Sequence, residues 1–372
     1  MSPSTSNLPK TFRTAVLSVV KHDYVARGVE RHPRFNLVVV ADDPQVPDWI
    51  HERNQNFADE KGIPYVRDVE RALKEFKVDV AVVSPEAERH CDLSIRAANL
   101  GVHVIQDKPM STRISECDRL VEAADRNRIK TLIWNRNMLP AVLHAKQLID
   151  AGTIGRPYAI HTDFYFAKDA GPPKRTRSPQ CPPLNWLDLQ KAAHAEGADG
   201  GIGTTAMGEL QVEGIYPLAY MQLLTDAKVV RVYARTVAMF HQGHFDNGVD
   251  DLASVSLEMT NGILGTLAIG RIGAASHPEI GEIKIHVLGT DGALVVAEAR
   301  PEVAVYYRNQ PEMEFPHRRV ASDNDFLLTD SLAMAIDQGG ESLLNAKSAR
   351  SLTAAIEAAI RSGNSGRVEA VE

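Results

Sequence analysis

The residues best placed to do chemistry gather first around Lys108, which stands between Asp107 and Pro109 after the apolar run Gly101-Val102-His103-Val104-Ile105. A second apolar run upstream, Val78 to Val83, closes on Ser84-Pro85-Glu86 and is followed by His90 and Ala97-Ala98. The pair reads as two buried strands of a parallel sheet joined by a helix. Ligands of an open parallel sheet bind beyond the carboxyl ends of its strands, so Lys108 is aimed at the ligand crevice as a candidate acid or base. The competing reading is a surface lysine after an edge strand. The preceding run is too apolar for an edge, and Pro109 fixes the exit.

Asp42 is the second chemical position. It ends the apolar run Asn36 to Ala41, about 20 residues beyond the turn that follows a first strand at Ala15–Val20. A carboxylate there accepts bonds from adenosine ribose hydroxyls and repels a 2′-phosphate, which favours NAD over NADP. Asp42-Asp43-Pro44 is equally ordinary turn chemistry. A dinucleotide fold normally carries G-x-G-x-x-G after its first strand, yet this chain reads Ser18-Val19-Val20-Lys21-His22-Asp23, without glycine. Either the loop is wider, with Ser18, Lys21 and His22 supplying hydrogen bonds and positive charge, or the site no longer binds a dinucleotide. Asp42 favours the first.

The elements that must position these groups alternate. Helical sequence runs to His32, over 47–61 and over 68–77, with strands at 36–41 and 78–84. This predicts a Rossmann-type doubly wound parallel sheet over residues 1–134, the first dozen residues forming a loose arm. After Trp134 the texture changes. One amphipathic helix at 141–151 precedes strand candidates at 158–166, 229–239, 253–259, 265–270, 283–288 and 303–307, with Asn261-Gly262 and Asp291-Gly292 as hairpin signals. Residues 135–372 are thus expected to form an α+β domain with a large, mainly antiparallel sheet. Two closing helices, 326–337 and 346–362, are able to pack back on the first domain. The Pro- and Gly-rich stretch 167–206 and the loop 240–250 are expected to select substrate.

The run ending Asp107-Lys108-Pro109 resembles the Glu-Lys-Pro signature of the Gfo/Idh/MocA oxidoreductases. Asn135-Arg136 with Pro140, Gly152-Thr153-Ile154-Gly155 and Arg361-Ser362-Gly363-Asn364-Ser365-Gly366 follow in the order that family shows. The resemblance implies an NAD-dependent enzyme oxidising a hydroxyl of a sugar, polyol or glycoside, with Lys108 as acid/base, its pKa depressed toward neutrality by burial and the cationic ring. It implies that Ser84, Pro85 and Glu86 line the nicotinamide side and that His90, which matches a motif histidine, is a further catalytic candidate, although a lone histidine early in a helix is more often a packing or capping residue. Many relatives open a helix with an Asp and, four residues on, a His; here Val212 and Tyr216 stand at those positions. A tyrosine also occurs in the sugar-oxidoreductase branch, so Tyr216 is the expected helper of Lys108, against its reading as a core aromatic with Tyr220, Leu223 and Leu224. Asp107, Arg136 and Asn137 are further candidates to hold cofactor or substrate.

Composition removes other classes. With 41 basic and 48 acidic residues, a net charge of -7 and no long basic block, nucleic acid is not an expected partner. No run of 18 apolar residues suggests a membrane span, and three cysteines, Cys91, Cys117 and Cys181, without C-x-x-C spacing suit a reducing cytoplasm. His241, His244, His161 and Asp250 lack the spacing of a zinc site, so no metal is expected. Apolar faces on 264–270 and 283–288 predict a homodimer or homotetramer through the second sheet. Two alternatives stay open: a ligand-binding or regulatory protein that has lost its cofactor site, and a lyase or redox-assisted glycosidase.

Overall fold

The computed structural model describes residues 10–20, 23–166, 207–240, 242–271, 281–297, 302–308 and 324–372. The expected arm at the start, Lys21, His22, Cys181, His241 and the stretch 167–206 lie outside the described residues. The chain divides into two compact units. One holds the described residues up to Ser111, with Ser115–Trp134 and Asp325–Ala346; the other holds Thr112–Ile114, the described part of Asn135–Asn324, and Lys347–Glu372.

The first unit is a doubly wound sheet. Its elements are β1 (Phe12–Leu17), α1 (Tyr24–Glu30), β2 (Phe35–Ala41), α2 (Asp48–Lys61), β3 (Tyr65–Val66), α3 (Val69–Glu75), β4 (Val80–Val83), α4 (His90–Asn99), β5 (His103–Gln106), α5 (Ile114–Asn127) and β6 (Thr131–Ile133). The strands lie in the order β3-β2-β1-β4-β5-β6 and pair in parallel throughout. Residues of β1, β2, β4 and β5 reach full burial because helices cover both faces, which explains why they read as unbroken apolar runs. The first strand begins earlier than its pattern suggests, at Phe12, and stops at Leu17, where Ser18 turns the chain at φ 66. β3 has two residues, too short for any periodicity to reveal.

The helix Asn324–Gln338 contributes its residues from Asp325 onward to this unit, anchored by ions. Arg31 reaches Asp325 at 2.5 Å, Arg34 holds Asp337 through two nitrogens at 2.6 and 3.0 Å, and the His32 ring stacks 4.6 Å from Phe326. A Cβ at Gly28 would lie 3.1 Å from the Trp134 ring and 3.2 Å from Asp325, so a side chain there would have to push the ring or the aspartate back by a few tenths of an ångström.

The second unit opens with α6 (Pro140–Asp150), its proline at the first turn, where a missing N–H costs nothing. Its strands are β7 (Pro157–Phe166), β8 (Val229–Val237), β9 (Leu252–Met259), β10 (Leu264–Gly270), β11 (Gly281–Gly289), β12 (Gly292–Ala297), β13 (Glu302–Tyr307) and β14 (Glu369–Ala370), in the order β13-β12-β11-β7-β10-β9-β8-β14. Every pairing is antiparallel except that of β7 with β10. The β9–β10 turn has positive φ at both Asn261 and Gly262, which is what a tight hairpin turn of the right twist demands. One face buries Phe164, Leu267, Ile269, Ile283 and Ile285; the other exposes Tyr158, Tyr233 and Leu264 among charged residues. Two strands escaped the sequence pattern: β12, whose outward residues are Ala293, Val295 and Ala297 and so give no polar alternation, and β14, which has two residues. No helix among the described residues is long and apolar enough to cross a membrane.

Candidate active site

The order β3-β2-β1-β4 places the strand reversal between β1 and β4, and an open sheet of this kind takes its ligand beyond the carboxyl ends there. Ser18 follows β1 and Ser84 follows β4, their backbones joined by the Ser84 N–H donating to the Leu17 carbonyl at 3.2 Å. Both side chains are fully buried. The Ser84 hydroxyl has no hydrogen-bond partner among the described residues. A buried orphan at this point fits a bound polar ligand, because leaving it unsatisfied costs about 1–3 kcal/mol.

The glycine-free loop is shaped from α2. Asn54 Oδ1 accepts the Val19 N–H at 2.9 Å, while Arg53 Nε donates to the Val19 carbonyl at 3.1 Å. The left-handed turn that a glycine makes freely is made here by Ser18, held by these side-chain bonds.

Asp42 is fully buried, and its carboxylate faces Arg89 at 2.6 Å and Asn54 at 2.9 Å. Burial by itself would raise this carboxyl, but the Arg89 guanidinium more than offsets it and holds the group below the usual carboxylate range. Glu86 binds the other edge of Arg89 at 2.7 and 3.0 Å.

Lys108 is 3% exposed. Its backbone N–H donates to Asp107 Oδ1 at 2.8 Å, and the Tyr24 hydroxyl lies 3.4 Å from the same oxygen. The Lys108–Pro109 bond is cis. The first turn of α4 secures the residues on either side: His90 Nδ1 lies 2.7 Å from the Pro109 carbonyl and Nε2 lies 3.2 Å from that of Pro85. Gln106 Nε2 donates to the Met110 carbonyl at 2.8 Å, with its own oxygen accepting from Ser94 at 2.8 Å. His90, Gln106 and Ser94 therefore position the lysine-bearing loop through its backbone.

In the second unit the structure brings Arg136 and Tyr216 together, the guanidinium 5.3 Å from the centre of the ring, with Phe164 against Tyr216 at 6.1 Å. Asn137 is buried, and its N–H donates to Asn135 Oδ1 at 2.7 Å. In the two turns before Tyr216, Glu209 and Glu213 are buried beside Arg271, at 2.7 and 3.3 Å. Among the described residues no group of three or more His, Cys, Asp or Glu side chains is gathered to hold a metal; His161 instead lies 2.6 Å from the Thr266 hydroxyl.

Asp250 Oδ2 accepts the Leu210 N–H at 2.9 Å, and burial pushes its carboxyl up to about 6. A carboxyl raised above its unfolded value of about 3.9 contributes stability below that pH, and the contribution is lost as pH rises through the folded value. Asp250→Asn keeps an acceptor without the charge. Thermal melts of this variant should match the parent near pH 4 and run about 1–3 °C higher at pH 8; equal melts at pH 8 would count against it.

Residues 21–133 match the model of an oxidoreductase family with an NAD-binding Rossmann fold, Gfo/Idh/MocA, and residues 199–295 match the C-terminal domain of the same family. The chain belongs to the Gfo/Idh/MocA oxidoreductases. Inositol 2-dehydrogenase of Salmonella typhimurium is 29% identical over 92 residues, 24% of this chain and 27% of that protein. D-xylose 1-dehydrogenase [NADP(+)] of Haloarcula marismortui is 26% identical over 255 residues, 68% of this chain and 61% of that protein. The chain thus spans between about a quarter and six-tenths of the length of these relatives. In fold the coverage is nearly complete: an Agrobacterium radiobacter oxidoreductase solved with NAD+, L-tartaric acid and magnesium superposes with a TM-score of 0.75 at 16% identity, over 97% of this chain and 99% of that one.

Within this family fold, sequence reasoning missed the side chains that hold the loops: Arg89, Asn54, Gln106 and Ser94. For Arg89 one signal existed, the Glu86–Arg89 pair at i,i+3. Asn54 and Ser94 carry no signal of their own, since each bonds a residue from a different element.

Proposed function

We propose that this member of the Gfo/Idh/MocA family is a nicotinamide-dinucleotide-dependent oxidoreductase acting on a hydroxyl of a sugar or polyol. The observation that carries the reading is Lys108: a buried amine side chain on the loop after β5, locked by His90, in a fold whose switch point holds an orphan hydroxyl at Ser84. Ser18, Ser84, Pro85, Glu86 and Asp107 line the dinucleotide, with Lys21 and His22 outside the described residues; in the second unit, Arg136 and Asn137 are assigned to substrate hydroxyls. When bound, the nicotinamide supplies the hydride acceptor for a carbinol carbon. Lys108 takes the hydroxyl proton at Nζ in oxidation and returns it in reduction. Asp107 fixes the lysine backbone. Relatives named for inositol and xylose support a polyhydroxylated substrate. The non-catalytic alternative is not favoured, because the relatives named above are dehydrogenases.

Two free, buried thiols, Cys91 and Cys117, suit the cytoplasm as its setting. We further assign the assembly as a homodimer or homotetramer through the face bearing Tyr158, Tyr233 and Leu264; light scattering that gives a 40.8 kDa particle at micromolar concentration would refute it.

The direct test is to denature purified protein and assay the supernatant for released dinucleotide, then to follow its reduction over a panel of sugars and polyols. Reduction with one-to-one appearance of a carbonyl product supports the reading. Product formed by elimination or glycoside cleavage, with no net change in the dinucleotide, would assign a lyase or glycosidase instead.

A further inference from the structure

Asp42 occupies the place from which a carboxylate holds the adenosine ribose hydroxyls, yet the structure leaves it nothing to hold them with. Oδ1 accepts from Arg89 Nη1 at 2.6 Å and from the Asp43 N–H at 2.8 Å; Oδ2 accepts from Asn54 Nδ2 at 2.9 Å and from Arg89 Nη2 at 3.3 Å. A carboxylate offers about four acceptor directions, and all four are taken. Arg89 lies in the turn after β4, Asp42 lies after β2, and both strands flank β1, so the guanidinium bridges the end of the strand from which the dinucleotide loop departs. Glu86 fixes it from the opposite edge at 2.7 and 3.0 Å. The second N–H of Nη1 faces Asp43 at 3.8 Å, beyond hydrogen-bond distance. Asp43 itself is taken by Arg96 at 2.7 Å, which also holds Glu70 at 2.6 Å. Both acidic side chains at the end of β2 are thereby engaged by arginines of the α4 segment.

We propose that Arg89 is the specificity-determining residue for the choice between NAD and NADP: by filling the acceptor sites of Asp42 it removes the direct ribose contact and offsets the negative charge that would repel a 2′-phosphate. This inference rests on the dinucleotide reading above. It reverses the expected role of Asp42, which becomes the anchor of Arg89. In the unmodified chain the discrimination against NADPH is correspondingly weak, within about tenfold, the scale of one hydrogen bond to a charged group.

Equilibrium binding of NADH and NADPH, followed by nucleotide fluorescence, tests this in the full chain and three variants, with thermal melts to show that each is folded. Asp42→Asn should leave NADH affinity within about threefold and strengthen NADPH relative to it. Arg89→Met should free the Asp42 oxygens and shift the affinity ratio about tenfold or more toward NADH. Because Arg89→Met leaves two carboxylates buried, Arg89→Lys provides a milder change: one ammonium cannot serve both edges, and the ratio should move the same way by a smaller factor. A loss of about tenfold or more in NADH affinity for Asp42→Asn would show that Asp42 holds the ribose itself and would overturn the proposal, as would an unchanged ratio in folded Arg89→Lys. If the unmodified chain binds neither dinucleotide, the functional reading fails at its first step, an outcome distinct from either of these.

Discussion

Lys108→Ala is expected to reduce turnover by about 10²–10⁴-fold, the usual contribution of a general acid or base, while fold and dinucleotide affinity stay close to those of the unmodified enzyme. The expectation rests on how the loop is held. Asp107 binds the Lys108 backbone N–H, and His90 and Gln106 bind the carbonyls of Pro109 and Met110, so none of these three bonds requires the lysine side chain. Removing the side chain therefore removes a proton acceptor without releasing the loop. The measurement is a single-turnover rate with excess substrate, accompanied by a melt and a dinucleotide titration. A loss below about threefold in a rate limited by chemistry would exclude Lys108 as the base.

His90→Ala should act on stability first. The ring is fully buried, with one nitrogen 2.7 Å from the Pro109 carbonyl and the other 3.2 Å from the Pro85 carbonyl. Truncation leaves buried acceptors without their partner and opens a cavity between α4 and the loop, a combined cost of about 2–4 kcal/mol. Urea unfolding reads this directly. Turnover should fall with it, because Pro109 and Pro85 flank the two strand ends that carry Lys108 and Ser84. His90→Gln, which restores one donor, should recover part of both losses. A midpoint unchanged in His90→Ala would mean that both carbonyls find other donors and that the ring is not what holds the loop.

The contrast between these two residues shows how far sequence reading reaches. Lys108 was legible because a buried strand announces itself as an apolar run, and the sheet geometry then fixes where its next residues point. His90 was legible as a position in a motif, but its work was not. Each of its ring nitrogens faces a backbone carbonyl, and carbonyls leave no trace in a sequence. The same holds for Val19, whose N–H and carbonyl are taken by Asn54 and Arg53 from α2, 35 and 34 residues away. The missing glycines of the first loop suggested a damaged site. Ser18 at φ 66 takes the left-handed conformation that favours glycine, and side chains of α2 restrain the residue that follows it.

By itself the sequence determined the parallel first sheet, the mainly antiparallel second sheet and the carboxyl-end placement of Asp42, Ser84 and Lys108. Each follows from local periodicity, which encodes burial one element at a time. Tertiary structure alone decided what Asp42 does, because its partner Arg89 is 47 residues away and only the side-by-side placement of β2, β1 and β4 brings the two charges within 2.6 Å. It also decided that residues from Asp325 onward complete the first unit, through ion pairs and a ring contact with Arg31, Arg34 and His32 about 300 positions earlier. Amphipathicity tells a helix that one face must be buried; which surface buries it is set by charges and shapes that meet only when the chain has folded.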